Sequence, residues 1–300
     1  MRIRPGLDAE NEQTVAGPEK DKEIYFHLGL HKTASTFLQE SVFPCLSNIH
    51  FIKKHDFRSK DEIIASSPDK RFLLSRELEP EQEKYMRKIR EVAVRYPDTR
   101  PILILRSHGR MIKSKYKYYI RKHGCKHFDH FFDLQNDTGV VKIRNLDYCQ
   151  KIRILEKHFA HPVFVMFQEE FINKPFAAID ALADYVGADY RPEDIQISAK
   201  NASFSEKQLR LIRKFNQLST HDHSRTQSPF LKFVHRKLGD GLLYLIGYAA
   251  YILPESFLGR DDLIPPSRIH EVDQFYTQDW HEALRYAHLL RPRLYVQGSA

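Results

Sequence analysis

Residues 23–41 read Glu-Ile-Tyr-Phe-His-Leu-Gly-Leu-His-Lys-Thr-Ala-Ser-Thr-Phe-Leu-Gln-Glu-Ser, and this stretch constrains the fold more than any other. Ile24 to Leu28 is short and apolar with two aromatics, the pattern of a buried strand. Gly29 ends it and allows a sharp turn. Thr33, Ser35 and Thr36 then bring hydroxyls and free backbone N–H groups into the first turn of a helix that continues through Phe37, Leu38 and Val42. A helix N-terminus carries unpaired donors and partial positive charge, so it attracts an anion. Lys32 stands just before that turn. The stretch reads as strand, anion-binding loop, helix.

Four more runs read as strands. Ile49 to Lys53 is a short one. Phe72-Leu73-Leu74 ends in Ser75-Arg76-Glu77, Ile102 to Leu105 is wholly apolar, and Val163 to Phe167 follows a break at His161-Pro162. Helical periodicities lie between them. Tyr85, Ile89, Val92, Ala93 and Tyr96 share one face over residues 81–96. Residues 145–159 make a second helix, and Pro175 and Gly187 bound a third with Ile179, Leu182 and Val186 inward. The alternation predicts the α/β class, a parallel β-sheet flanked by helices. Ligands of such sheets gather at the C-terminal strand ends. Lys32, Glu77 and Arg106 each follow a strand and are expected to converge there.

The loop is shorter than a Walker A loop and has one Gly rather than two before its Lys. Lys-Thr-Ala-Ser-Thr instead resembles the 5′-phosphosulfate loop of sulfotransferases that use 3′-phosphoadenosine 5′-phosphosulfate (PAPS). The longer string His-Leu-Gly-Leu-His-Lys-Thr-Ala-Ser-Thr-Phe-Leu-Gln looks like the bacterial branch of that family. A second motif agrees: the apolar strand ends in Arg106, and Ser114 follows eight residues later on a predicted helix. This resembles the family's 3′-phosphate site, where the planar guanidinium fork matches phosphate and Ser adds a hydroxyl. The resemblance implies PAPS as co-substrate, held by His31, Lys32, Thr33, Ala34, Ser35, Thr36, Arg106 and Ser114. It implies Lys32 as a catalytic residue at the leaving phosphate. An ATP or GTP enzyme would normally end the 102–105 strand in a Mg²⁺-binding Asp, where this chain has Arg106.

Phe167-Gln-Glu-Glu-Phe-Ile-Asn-Lys-Pro175 resembles a family segment in which a Glu fixes a neighbouring loop. Asn201-Ala-Ser203 resembles another short family motif, although Ser203…Glu206 and Ser205…Gln208 also have capping-box spacing. The Arg-Lys-Gly motif of the animal cytosolic enzymes is not evident, and Arg191 or Lys200 could take its place.

The catalytic base is read as Glu77, in a Ser-x-Glu segment that also resembles bacterial family members. His31 and His108, beside the donor motifs, are the rivals, since imidazole titrates near neutrality. An ion pair of Glu77 with Arg76 or Lys32 is the plain structural alternative.

Arg106, Arg110, Lys113, Lys115, Lys117, Arg121, Lys122 and Lys126 are eight cations with no acid among them, in a chain of net charge +8. They can hold the donor and steer an anionic acceptor, or form a solvated helix face. No nucleic-acid module accompanies them, so nucleic acid is not expected as a partner. Cys45, Cys125 and Cys149 are far apart without metal spacing, and no metal is expected. His221 and His223 alone do not make a metal site.

The division expected is a disordered tail over 1–22 and a sulfotransferase domain over 23–300. The domain comprises a PAPS-binding core (23–203) and a helical C-terminal region (204–300), including helix 205–219 and a helix after Pro266. Residues 230–253 are strongly apolar yet shorter than a bilayer span. They suit a helical hairpin over the acceptor pocket or peripheral membrane contact beside Lys232, Arg236 and Lys237. The N-terminus has no apolar signal core, and a cytoplasmic protein is expected. The acceptor is expected to be a small molecule, carbohydrate or lipid bearing a hydroxyl or an amine. The alternatives are a kinase requiring ATP and Mg²⁺, and a non-catalytic membrane-associated scaffold.

Overall fold

All five apolar runs pair side by side in the computed structural model, which describes residues 21–30, 32–78, 82–197, 204–221, 248, 250, 251, 253, 254 and 262–291. The strands are β1 (Glu23–Leu30), β2 (His50–Ile52), β3 (Arg71–Leu78), β4 (Arg100–Leu105) and β5 (Phe164–Phe167). They form one sheet in the order β2-β3-β1-β4-β5, with every pairing parallel. Parallel strands need crossovers. These contain α2 (Lys60–Ser66) before β3, α3 (Gln82–Arg95) before β4, and α4 (His108–Arg121), α5 (Phe128–Phe131) and α6 (Tyr148–His158) before β5. The fold is therefore α/β.

Side chains alternate between the two faces of a strand, and both faces are covered here. Phe26, Leu28, Leu74, Leu103 and Leu105 pack with Tyr85, Ile89 and Val92 of α3, Met111 and Ile112 of α4 and Ile152 of α6. Tyr25, Leu73, Ile102 and Ile104 face the other way, onto Leu38, Val42 and the buried side of α8 (Pro175–Val186). Leu28, Leu74, Leu103 and Ile104 are fully buried. At roughly 1.5–3 kcal/mol for each such side chain, both apolar faces stabilise the sheet, which explains continuous apolar runs rather than apolar–polar alternation.

Local signals set the helix ends. Asp147 accepts from Gln150 N at 2.7 Å, so α6 begins at Tyr148 and residues 143–146 form a separate 3₁₀ turn, three residues later than the periodicity suggests. The Ser205–Gln208 capping box forms in full: Ser205 N donates to Gln208 Oε1 at 2.7 Å and Gln208 N donates to Ser205 Oγ at 3.3 Å. It opens α9 (Glu206–His221). α7 (Gln168–Asn173) follows β5 directly. Near the C-terminus lie α10 (Pro266–Phe275) and α11 (Thr277–Leu290), the second of which the sequence did not signal.

The strands all lie between residues 23 and 167, and among the described residues from 204 onward the regular elements are helices. His31, Lys200, Asn201 to Ser203, His223 and most of 230–253 lie outside the described residues, as does the tail to residue 20. Among the described residues no helix is long and apolar enough to cross a membrane.

Candidate active site

The strand order makes one crevice special. The chain leaves β1 toward β2 on one side and leaves β4 toward β5 on the other, so the β1–β4 boundary is a topological switch point. Open α/β sheets bind their ligands at such a boundary. Lys32 follows β1 there, and Arg106 follows β4. The two meet directly, with Arg106 Nη1 donating to the Lys32 backbone carbonyl at 3.2 Å.

The loop between β1 and the next helix is tight. Lys32 (φ 76°) and Ala34 (φ 63°) both adopt left-handed backbone without being glycine, a strain typical of functional turns. Thr33 N and Thr33 Oγ1 both donate to the Leu30 carbonyl, at 3.2 and 2.6 Å, so the threonine clamps the loop onto the strand end. Ser35 begins a short helical turn, α1 (Ser35–Phe37), which widens into π-type backbone over Leu38–Val42. Ser35 is buried and its Oγ has no partner among the described residues, whereas Thr36 is exposed.

Gly29 permits this packing. A Cβ at that position would lie 1.9 Å from Ser35 Oγ and 3.2 Å from His27 Cε1. Gly29→Ala is therefore expected to lower stability by about 1–3 kcal/mol through overpacking. Thermal unfolding checks this, and an unchanged Tm would show that the loop relaxes without cost.

Beneath the loop, His27 is fully buried, with Nδ1 2.8 Å from Ser75 Oγ, which also accepts from Gln39 Nε2 at 2.8 Å. Burial pushes the His27 imidazole down to about pKa 3, against a smaller opposing pull from Glu77. It is a neutral structural group at physiological pH.

The site's electrostatics are those of crowded cations. The Lys32 ammonium lies 4.3 Å from the centre of the Tyr118 ring of α4, a cation–π contact. Burial lowers the Lys32 pKa, the charges of Arg121, Arg106 and Lys122 push it in the same direction, and Glu77 alone among these neighbours opposes them. Burial also lowers the Arg106 pKa, partly offset by Glu169. Its Nε is buried with no partner among the described residues. Lys117 lies one turn beyond Ser114 and Arg110 one turn before it, so the three share a face of α4. Lys117 also feels Arg106, which brings that face toward the guanidinium. Glu77 sits at the end of β3 in register with Gly29 of β1, so the strand pairing delivers its carboxylate beside the loop. Lys32, Glu77 and Arg106 converge as the strand ends predicted.

Neighbouring carboxylates hold the frame. Glu169 Oε1 accepts from Ser107 N at 3.1 Å and lies 3.8 Å from Arg110 Nη1, so it fixes the loop that carries Arg106. Glu170 receives Arg291 at 3.0 and 3.3 Å and Phe167 N at 2.9 Å. Gly109 N donates to Asp273 Oδ1 at 2.7 Å, and a Cβ on Gly109 would reach Ile269 and Asp273 at less than 3 Å, so α10 seats on α4 only because this residue is glycine. Asn216 of α9 clamps the other end of α4 through the Ile120 and Gly124 carbonyls.

His108 is not beside the loop's open face. It is 2% exposed and stacked between Tyr148 and Tyr276 at 4.2 and 4.3 Å. Its Nε2 lies 3.0 Å from both Asp279 Oδ2 and the Leu146 carbonyl. Burial opposes ionisation of Asp279, but the bonds from His108 and from the Cys149 and Tyr148 N–H groups still bring its pKa to about 2. His108 pins α11 to the core. Arg191 is exposed and paired with Asp194 at 2.9 Å. Tyr118 and Arg291 carried no sequence signal, because each acts through a contact that only the fold creates. Among the described residues no cluster of three or more His, Cys, Asp or Glu side chains could hold a metal ion.

No known protein-family model matches the chain, and no curated protein sequence matches it. Among solved structures, the chain is similar to a sulfotransferase from Alicyclobacillus acidocaldarius, with 13% identity and a TM-score of 0.43, over 68% of this chain and 92% of that one. A likeness of that size carries no functional weight, and the chain's own residues have to do so.

Proposed function

We propose that the protein is a sulfotransferase that takes a sulfonyl group from PAPS and passes it to a hydroxyl acceptor, leaving 3′-phosphoadenosine 5′-phosphate (PAP). The observation that carries this reading is the junction at the β1–β4 switch point. There Lys32 and Arg106 are tied to each other, the charges of Arg121 and Lys122 act on Lys32, and a buried Arg106 Nε and Ser35 Oγ lack partners among the described residues. Buried cations and donors need compensating acceptors, and a ligand with phosphate at two positions suits two such centres. The loop residues His31 to Thr36 would hold the 5′-phosphosulfate, while Arg106 and Ser114 would hold the 3′-phosphate.

In the step proposed, the acceptor oxygen forms a bond to sulfur as the bond from sulfur to the 5′-phosphate oxygen breaks. The electron pair goes to that phosphate oxygen, where the Lys32 ammonium stabilises the developing charge. Glu77 takes the acceptor's proton. The cations that neutralise the leaving phosphate come from the protein, so no metal is required by this arrangement. The acceptor class remains a hydroxyl-bearing small molecule, carbohydrate or lipid.

The test is thermal unfolding of the full chain with PAP in the presence of EDTA. A native-state ligand at a hundredfold excess over its Kd stabilises by about 2.7 kcal/mol, several degrees in Tm for a chain of this size. No shift with PAP, or a shift that needs ATP with Mg²⁺, would overturn the donor assignment in favour of a kinase.

A further inference from the structure

Two buried polar atoms beneath the loop have no partner among the described residues: Nε2 of His27, which is fully buried, and Oγ of Ser35, which is 2% exposed. Both adjoin one point. A Cβ on Gly29 would lie 1.9 Å from Ser35 Oγ and 3.2 Å from His27 Cε1, the ring atom bonded to Nε2. His27 and Gly29 are alternate residues of β1 and so share a face of the strand. The missing Gly29 side chain leaves the imidazole and the hydroxyl on either side of the same space.

The other ring nitrogen is held from two elements. His27 stands opposite Ser75 in the β1–β3 register, with Nδ1 2.8 Å from Ser75 Oγ. Gln39, one turn after Ser35, donates Nε2 to the same oxygen at 2.8 Å. With Gln39 donating to Ser75, the Ser75 proton goes to His27 Nδ1, and the one proton of the neutral ring is on Nε2. The ring also packs edge-on against Phe43 at 5.2 Å, which fixes its plane. A fixed N–H donor is thus buried next to a hydroxyl, and each lacks a partner. Leaving such groups unpaired costs stability.

We infer that His27 is a positioning residue for Ser35: Nε2–H donates to Ser35 Oγ when the loop holds an anion, which turns the Ser35 proton onto that anion. A hydroxyl has one proton, so a donor on its oxygen leaves the proton for the ligand, where it makes a charge-assisted bond. The movement required is a turn of the Ser35 side chain about its Cα–Cβ bond. The inference rests on the sulfotransferase reading for the identity of the ligand, the 5′-phosphosulfate, and on the loop alone for the phosphate chemistry.

Isothermal titration of the full chain with PAP and with inorganic pyrophosphate tests this in a double-mutant cycle. Asn at position 27 can keep the Ser75 bond but has no group at the Nε2 position, whereas Gln reaches it. His27→Asn should weaken PAP binding about threefold to tenfold, the scale of one neutral hydrogen bond, and His27→Gln should recover part of the loss. In a Ser35→Ala background, His27→Asn should cause little further loss. Equal losses in both backgrounds, or unchanged affinity in His27→Asn, overturn the inference. Nitrogen-15 spectra of the histidine-labelled chain require no change at His27. Burial holds its pKa at about 3, so at about pH 5 its ring stays neutral while an ordinary imidazole is charged. That ring should carry its proton on Nε2, and pyrophosphate should shift the N–H signal in the unsubstituted chain but not in Ser35→Ala. A proton on Nδ1, or the same shift in Ser35→Ala, overturns the role. If pyrophosphate binds and PAP does not, the donor reading falls and the pyrophosphate cycle still decides the role of His27. If neither binds, the loop is not an anion site and the inference falls with it.

Discussion

Arg106→Ala is expected to weaken PAP binding by about a hundredfold or more while changing AMP binding far less. Hydrogen bonds to charged groups contribute roughly 1.5–3 kcal/mol each, and a guanidinium can make two to one phosphate. Losing the pair corresponds to two or more orders of magnitude in Kd. Arg106 also holds the Lys32 carbonyl, so some loss for AMP through the loop is expected, and the PAP-to-AMP ratio is the quantity that decides. Arg106→Lys keeps charge but not the fork, and should recover part of the PAP affinity without restoring it. Ser114→Ala should cost about tenfold or less, as for one neutral hydroxyl. Isothermal titration with both nucleotides gives the ratio. Equal losses for PAP and AMP would remove Arg106 from the 3′-phosphate and return it to a purely structural place beside Glu169.

Glu77→Gln should lower turnover by roughly a hundredfold or more, the scale of losing a general base, with PAP affinity nearly unchanged. The substitution keeps the size of the side chain and its place at the end of β3, so it removes proton acceptance without moving the strand. Glu77 also favours the charged form of Lys32. If that pairing were its whole role, turnover at saturating PAP would change little, while the change at Lys32 would show as altered PAP binding. Measuring kcat at saturating PAP together with the PAP Kd separates the two. Wild-type turnover in Glu77→Gln, with loss in His31→Ala, would move the base to that histidine. His108→Ala should instead lower Tm, since its ring is stacked between two tyrosines and bonded to Asp279. Loss of turnover at unchanged Tm in that variant would contradict the structural role.

The chain's own residues determined most of the frame. Five apolar runs of strand length, separated by helical periodicities, dictated a parallel α/β sheet, because apolar residues on both faces of a strand require cover on both sides. Pro175 and Ser205 marked helix starts, and Lys32, Glu77 and Arg106 were legible as strand-end residues, whereas Gly29, read as the end of the first strand, lies inside β1, where its missing side chain makes room for Ser35. Local chemistry acts over a few residues, and these features depend on nothing further away. Other features were decided only by the tertiary structure. The order β2-β3-β1-β4-β5 places β1 against β4 and so brings Lys32 onto Arg106, 74 residues apart in the chain. Thr33 turns its hydroxyl to Leu30, and His108 is drawn into a stack with residues 148 and 276. A basic run that reads uniformly in sequence is divided by the fold. The charges of Arg121 and Lys122 act on Lys32, whereas Lys115 is turned inward and buried. A helix places successive side chains about 100° apart, so which cation meets a ligand, a ring or another cation depends on the elements packed against each face, and that packing is a property of the whole chain.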